Sequence, residues 1–277
     1  MLNTNLIDKI ILTAFDEDMP FGDVTTDNLI PEDSISEGSF VAKQPGVIAG
    51  IEVVKRVFAL MDSNIEVTRC VQDGAYVQEG DIILKIRGNT RAILKGERTA
   101  LNLFQRMCGI ATKTFEYTSK IKEFPVRIVD TRKTAPGLRY LDKYAVRAGG
   151  GYNHRYNLSD AVLIKDNHIN AAGGIRNAIE KARCAIPHTM KIEVESETLE
   201  QVLEALEAGA DIIMLDNMNF EDMTSATKVI NKRAIVEASG NVSVDNVYDV
   251  AKTGVDIISV GALTHSVNAM DISLKFK

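Results

Sequence analysis

The chain predicts an α/β protein in which a smaller N-terminal domain precedes an open or irregular, TIM-like α/β barrel. The first observation is a rhythm. From Pro125 onward, short apolar runs end in polar residues: VRIVD, AVLIKD, KIEVE, DIIMLD, AIVEASG and DIISVG. Amphipathic stretches separate most of them, as where Leu199, Val202, Leu203 and Leu206 precede Gly209. This is the βαβα pattern of a parallel sheet buried on both faces. The second observation is a weak repeat: LEAGADIIML and AKTGVDIISV share a helix end, a glycine suited to the position after it, and an Asp-Ile-Ile strand. Six or seven strand candidates, fewer than the eight of a closed barrel, make the barrel open or irregular. The third observation is size, since 277 residues with 45% hydrophobic content can bury a barrel and a smaller domain.

Taken in order, residues 5–15 place Leu6, Ile7, Ile10, Ile11 and Ala14 at helical spacing. Residues 16–33, with Pro20, Gly22 and Pro31, read as loop. The β-branched runs SFVAK, GVIAG, IEVTRCV and DIILKIRG read as strands, and residues 52–61 between them as a helix. DGAYVQEGDIILKI has the turn-and-strand rhythm of a lipoyl-type sandwich, but no lysine occupies a hairpin tip, so it is architecture. Residues 89–120 read as two helices with a break near Gly109, and carry Arg98 and Arg106. On spacing alone, Arg98 is a solvated helical side chain.

Composition removes several classes. The formal net charge is -6 and there is no Trp and no basic face with interleaved aromatics, which argues against a nucleic-acid partner. Cys70, Cys108 and Cys184 are odd in number and lack ligand spacing, so neither a disulfide framework nor a zinc site is expected, and the compartment reads as reducing. No apolar run approaches the roughly 20 residues of a membrane span. The N-terminal stretch turns acidic where a signal peptide needs a cleavage site, so a cytoplasmic protein is expected.

Chemistry concentrates between Asp130 and His168. Arg132 and Lys133 follow one strand, His154 and Arg155 follow the AGGG run, and Lys165 ends the next strand. Arginine grips carboxylate or phosphate through a planar fork and lysine supplies a point charge, so this set suits a substrate with more than one acidic group. Glu195 and Asp216 end consecutive strands and become neighbours at the barrel mouth. Such a pair suits Mg²⁺ held through its water shell, ribose hydroxyls, or a developing positive charge. Asp211 and Asp256 read instead as caps of the following helices. EASGN and SVGALTH bring small residues to the last two strand ends, where Ser239, Gly240, Gly261 and Ala262, with His265 beside them, let backbone N–H groups approach a phosphate.

With these residues assembled, the chain resembles the quinolinate phosphoribosyltransferase family over nearly its full length. The resemblance rests on FGDVTT, GERTALNLFQRMCGIAT, DTRKTAPGLRYLDKYAV, GGGYNHRYNLSDAVLIKDNH, KIEVE, IIMLDN, EASGN and SVGALTHS. It implies transfer of phosphoribose from phosphoribosyl pyrophosphate to quinolinate with Mg²⁺, giving nicotinate mononucleotide, pyrophosphate and CO₂. It also implies an N-terminal α/β sandwich at residues 1–110, an open barrel at 111–265, and a tail at 266–277 that returns to the first domain. By the same resemblance Arg132, His154, Arg155 and Lys165 hold the two quinolinate carboxylates, and Lys133 faces the same pocket or the pyrophosphate. Glu195 and Asp216 serve ribose and metal, Ser239, Gly240, Gly261 and His265 receive the 5′-phosphate, and Lys165 assists decarboxylation or protonates the ring. The family's homodimer makes Arg98 the residue contributed to the neighbouring subunit's pocket, with a higher oligomer also open.

Three other readings compete: a related phosphoribosyltransferase-like protein with a different acceptor, such as the one associated with molybdenum transport, a Schiff-base lyase using Lys165, and a non-catalytic binder of phosphorylated metabolites. The His154–Arg155 pair and KDNH favour a dicarboxylate acceptor.

Overall fold

A computed structural model describes residues 2–68 and 71–276, so Cys70 lies outside the described residues. In chain order the elements are α1 (Thr4–Asp18), α2 (Val24–Leu29), β1 (Ile35–Ala42), β2 (Gly46–Val47), α3 (Ile51–Met61), β3 (Glu66–Thr68), β4 (Tyr76–Val77), β5 (Ile82–Asn89) and the long α4 (Thr90–Lys120). There follow β6 (Arg127–Val129), α5 (Arg139–Ala148), β7 (Val162–Ile164), α6 (Asp166–Ala172), α7 (Ile175–Ala185), β8 (Ile192–Ser196), α8 (Leu199–Glu207) and β9 (Ile212–Asp216). The remaining elements are α9 (Phe220–Ile230), β10 (Ile235–Ser239), α10 (Val247–Lys252), β11 (Ile257–Ser259), α11 (Ala262–His265) and β12 (Ile272–Phe276). Two compact units result. One holds the described chain through Phe115, Thr134–Gly150 and the tail from Thr264; the other holds Glu116–Lys133 and Gly151–Leu263.

The first unit is built on an antiparallel sheet of order β12-β1-β5-β3, with a two-stranded β2-β4 ribbon. Phe40 on β1 meets Phe58 and Phe104 edge-on at 6.0 and 6.4 Å between ring centroids, in a fully buried cluster. Gly50 begins α3 with φ of 106°, and its N–H and that of Ile51 donate to the Asp73 carboxylate at 2.9 and 3.1 Å. A carboxylate on a helix's free N–H groups stabilises that helix end.

Three expectations fail in this unit for reasons outside local sequence. Within the stretch 89–120, Thr90–Lys120 form one unbroken helix. Gly109 does not break it; a Cβ there would lie 2.1 Å from the Asn268 carbonyl oxygen, so glycine permits close packing of the tail. Within the loop expected at 16–33, Asp23 Oδ1 accepts from the N–H groups of Thr25 and Thr26 at 3.0 Å and starts α2. The segment 134–150, which the sequence reading puts in the barrel domain, packs with the first unit instead. Arg106 on α4 grips the fully buried Asp142 of α5 through two bonds of 2.9 and 2.8 Å.

The second unit carries a six-stranded, wholly parallel sheet of order β6-β11-β10-β9-β8-β7. Its strands are the six apolar runs read from the sequence. At the β6 edge the chain continues with a single bridge from Val129 to Tyr152, whose N–H donates to the Ile128 carbonyl at 2.8 Å. Strand side chains alternate between faces. On β8, Ile192, Val194 and Ser196 are buried on one face, which puts Glu193 and Glu195 together on the other. On β10 the same alternation pairs Glu237 with Ser239, and on β9 it pairs Met214 with Asp216. Asp211 and Asp256 correct their expected role: they cap strand starts rather than helices, accepting from the N–H groups of Ile192 and Val236 at 2.8 and 2.9 Å.

Candidate active site

At the carboxyl ends of the parallel strands the second unit encloses a cleft of about 540 Å³, lined by its own residues. Arg132, Lys133, His154, Arg155, Lys165, Glu195, Asp216, Ser239 and Gly240 all line it. Nine of the residues singled out above thus converge on one cavity. The others do not line it: Gly261 and Ala262 follow β11 in the same unit, whereas Arg98, exposed on α4, and His265 belong to the first unit. His265 Nδ1 pairs there with the Ser266 hydroxyl at 2.7 Å.

The cationic wall begins at β6. Arg132 and Lys133 leave its end, and the Lys133 N–H donates to Thr131 Oγ1 at 3.0 Å. Asp130, fully buried, accepts from the His154 N–H at 2.9 Å through Oδ1 and from Asn153 Nδ2 at 2.6 Å through Oδ2. One carboxylate therefore fixes the loop that presents Arg155. The Arg155 guanidinium donates to the Ala161 carbonyl at 3.0 Å. Burial, and next to it the charge of Arg132, holds its pKa below the usual arginine value, against the pull of Glu193, Glu195 and Asp160. Like charges crowd here, as in a site that awaits an anion.

His154 is deeper in the protein than a simple carboxylate ligand. Its Nδ1 accepts the Arg155 N–H at 2.7 Å, while Nε2 lies 3.1 Å from Glu193 Oε2 and 3.6 Å from Glu237 Oε1. Burial first, then the neighbouring Glu193 charge, pushes the Glu237 carboxyl well above the usual range.

The acidic wall follows from β7, β8 and β9. Lys165 Nζ is ion-paired with Glu195 Oε1, and the Lys165 N–H donates back to His168 Nδ1 at 3.0 Å, closing the first turn of α6. Asp216 Oδ2 accepts from Asn217 Nδ2 at 2.8 Å. Carboxylate oxygens are the donors that Mg²⁺ takes, and Glu195 Oε2 and Asp216 Oδ1 are not engaged in these two contacts, so the pair fits that ion.

The remaining wall is a tight loop after β10. Gly240 has φ of 86°, and a Cβ there would lie 2.1 Å from Asn217 Oδ1. Asn217 and Asn241, both in the left-handed region with φ of 55° and 52°, are joined by a 3.0 Å bond from Asn241 Nδ2 to Asn217 Oδ1. Asn217 also donates its N–H to the Ser239 carbonyl at 3.0 Å.

Sequence reasoning assigned no role to Asp130, Glu193, Glu237, Asn217 or Asn241. Period-two alternation in KIEVE and IVEAS is the signal that finds both glutamates, each on the face of an assigned residue. Asparagine within two residues of a strand end, where few side chains tolerate positive φ, marks the other pair.

Cations on one wall, paired acids on another and a glycine loop shaped for close backbone approach define a barrel enzyme for an anionic acceptor and a phosphorylated donor. The chain belongs to the quinolinate phosphoribosyl transferase family. The family's C-terminal domain matches residues 110–275 and its N-terminal domain residues 23–108. A probable carboxylating nicotinate-nucleotide pyrophosphorylase of Bacillus subtilis is 44% identical over 273 residues, covering 99% of this chain and 94% of that protein. A mitochondrial decarboxylating quinolinate phosphoribosyltransferase of Nicotiana glauca is 43% identical, covering 96% of this chain and 81% of its own length. The crystal structure of NadC from Streptococcus pyogenes superposes with a TM-score of 0.97 at 40% identity, covering 100% of this chain and 98% of that one.

Proposed function

We propose that the chain transfers phosphoribose from phosphoribosyl pyrophosphate to quinolinate and releases CO₂, forming nicotinate mononucleotide and pyrophosphate for NAD biosynthesis. The observation that carries this reading is the meeting of Arg132, Lys133, Arg155 and Lys165 in one cleft with Glu195, Asp216 and the Gly240 loop. A pyridine with two adjacent carboxylates needs such charge, and a donor bearing a 5′-phosphate needs such a loop.

The pyridine nitrogen bonds to the ribose anomeric carbon as the bond from that carbon to the pyrophosphate oxygen breaks with its electron pair. Arg132, Arg155, Lys133 and Lys165 hold the carboxylates so that the nitrogen lies in line. Glu195 and Asp216 lie where positive charge builds on the ribose carbon and stabilise it. Those two acids would hold Mg²⁺ through its water shell, and the ion supplies charge neutralisation for departing pyrophosphate. The ribosylated, positively charged ring nitrogen accepts electron density as the bond to the adjacent carboxylate breaks, and the ring carbon then takes a proton. Lys165, an ammonium donor to Glu195, is our candidate for delivering it. Ser239, Gly240 and Gly261 form the 5′-phosphate site in this reading. Arg98 completes the pocket of a second subunit in a homodimer, with larger assemblies open to test by sedimentation. Among the described residues no helix is long and apolar enough to cross a membrane; we assign the protein to the cytoplasm on its composition.

Purified protein with phosphoribosyl pyrophosphate, Mg²⁺ and either quinolinate or nicotinate tests this reading. Nicotinate mononucleotide and CO₂ formed together, from quinolinate only, is the expected result. Turnover of nicotinate at a comparable rate would refute the role given to the cationic wall.

A further inference from the structure

Arg106, on the long helix α4, takes no part in the reaction above, yet it is bonded to two stretches of chain that begin at the substrate sites. Resting on that proposed reaction, we propose that Arg106 is a positioning residue for both sites. Through Asp142 it holds the chain just past Arg132 and Lys133, and through the Thr264 carbonyl it holds the chain just past Gly261.

The chain runs out of the second unit twice. It leaves after Lys133 and re-enters at Gly151, and it leaves again after Leu263. The first excursion therefore starts beside Arg132 and Lys133 and returns ahead of His154 and Arg155. The second starts in the turn that carries Gly261. Whatever fixes these two stretches also fixes where the substrate groups begin.

Three bonds of one guanidinium meet both stretches within the first unit. Arg106 Nε and Nη2 donate to Asp142 Oδ1 and Oδ2 at 2.9 and 2.8 Å, and Nη2 also donates to the Thr264 carbonyl at 3.1 Å. Asp142 and Thr264 are buried, so these bonds form away from water. Asp142 Oδ2 accepts in addition the N–H of Ala135 at 3.3 Å, two residues past Lys133. Two residues of chain span at most about 7 Å, so a shift at Ala135 is passed to Lys133. A planar fork serves these acceptors from separate nitrogens, which the single ammonium of a lysine does not reproduce.

Neighbouring contacts lay both stretches along the same helix. In the first excursion Thr134 Oγ1 accepts from Arg139 Nε at 3.0 Å, and the Tyr144 hydroxyl donates to Asp73 Oδ2 at 2.7 Å. At its exit a Cβ on Gly149 would lie 2.3 Å from the Ala111 carbonyl oxygen, so the end of α5 rests on the backbone of α4. On the tail, Lys113 Nζ donates to the Ser266 carbonyl at 2.8 Å and Gln105 Nε2 to the Ile272 carbonyl at 2.7 Å.

The two directions of the fork predict a split between substrates. Removing the guanidinium loosens both stretches. Replacing Asp142 by asparagine turns an amide N–H₂ toward one of its donors and loosens Ala135, while the Thr264 carbonyl keeps Arg106. A misplacement of about 1 Å costs up to about a hundredfold, so a smaller shift passed along two or three residues sets the expectation near tenfold.

The test uses the full chain, with urea midpoints and both KM values measured for each variant. Ile11→Ala, which empties a fully buried position on α1 of the same unit, controls for lost stability. In Arg106→Gln the KM values for quinolinate and for phosphoribosyl pyrophosphate are each expected to rise about tenfold. In Asp142→Asn only the quinolinate value is expected to rise, and in Ile11→Ala the midpoint falls with both constants at the parent's values. Arg106→Lys keeps a charge facing Asp142 and is expected to raise both constants about threefold, so it decides the matter if Arg106→Gln does not fold. Parent-like constants in a folded Arg106 variant, or an equal rise in Ile11→Ala, would overturn the assignment. A parent that turns over no quinolinate overturns the substrate reading and this assignment with it, whereas a working parent with unmoved variants overturns the assignment alone.

Discussion

Replacing Gly240 by alanine tests the loop geometry quantitatively, because a second glycine of the same unit serves as its control. Gly240 and Gly209 both have positive φ, 86° and 83°. A Cβ pays about 1–2 kcal/mol for that left-handed conformation at either position. At Gly209 nothing lies within 4 Å of the new carbon. At Gly240 the same carbon lands 2.1 Å from Asn217 Oδ1, 2.5 Å from its Cγ and 2.9 Å from its backbone N. Asn217 must move, and it then loses its bonds with Asn241 and Asp216. At roughly 1 kcal/mol for each hydrogen bond, Gly240→Ala costs about 2 kcal/mol more than Gly209→Ala. If the same displacement must be undone for phosphate to bind, the KM for phosphoribosyl pyrophosphate rises about thirtyfold in Gly240→Ala. Gly209→Ala leaves that constant near the parent's. Urea unfolding and initial-rate kinetics on both variants supply the comparison. Equal destabilisation with equal KM values would show that the Asn217–Gly240 approach does not shape the site.

Three further outcomes follow from named contacts. Asp130→Asn places an amide N–H₂ against donors that a carboxylate now receives; it should cost about 2 kcal/mol and raise the KM for quinolinate more than that for phosphoribosyl pyrophosphate. Arg155→Ala removes a half-buried charge-assisted contact of about 2–5 kcal/mol, and a near-normal quinolinate KM in that variant would remove Arg155 from substrate contact. Cys108 is fully buried and its thiol is pushed far up by burial, whereas Cys184 is exposed, so a mild thiol reagent followed by peptide mapping should label Cys184 before Cys108.

The six parallel strands were legible because each is a short apolar run stopped by a polar residue, and both signals are local. The cationic wall was legible for a similar reason, since Arg132, Lys133 and Lys165 sit just beyond those strand ends and Arg155 follows the glycine run. What escaped the sequence depends on partners far along the chain. Gly109 looks like a helix breaker until the carbonyl of Asn268 is seen above it. Nothing local marks Asp142 as buried; its partner Arg106 lies on α4 within the first unit. Asp211 and Asp256 precede apolar runs as helix caps often do, yet they accept N–H groups from neighbouring strands, a pairing that only the parallel register creates. His154 was assigned to the carboxylates through the family resemblance; it lines the cleft, and its neighbours there, the Arg155 N–H and Glu193, are not announced by local sequence.

The order of the first sheet, β12-β1-β5-β3, has a consequence for synthesis on the ribosome. Strand β1 is made early, but its partner on one side, paired from Gly38 to Ala42, is β12, which emerges more than two hundred residues later. Until then β1 presents an open edge of unpaired N–H and C=O groups to any other nascent strand. The parallel sheet has no such wait, since its strands all lie between Arg127 and Ser259. The parallel sheet can therefore close its hydrogen bonds while the earlier-made sheet is still unfinished, and chains cut short before Ile272 would combine a complete parallel sheet with an antiparallel one whose β1 edge is open to aggregation.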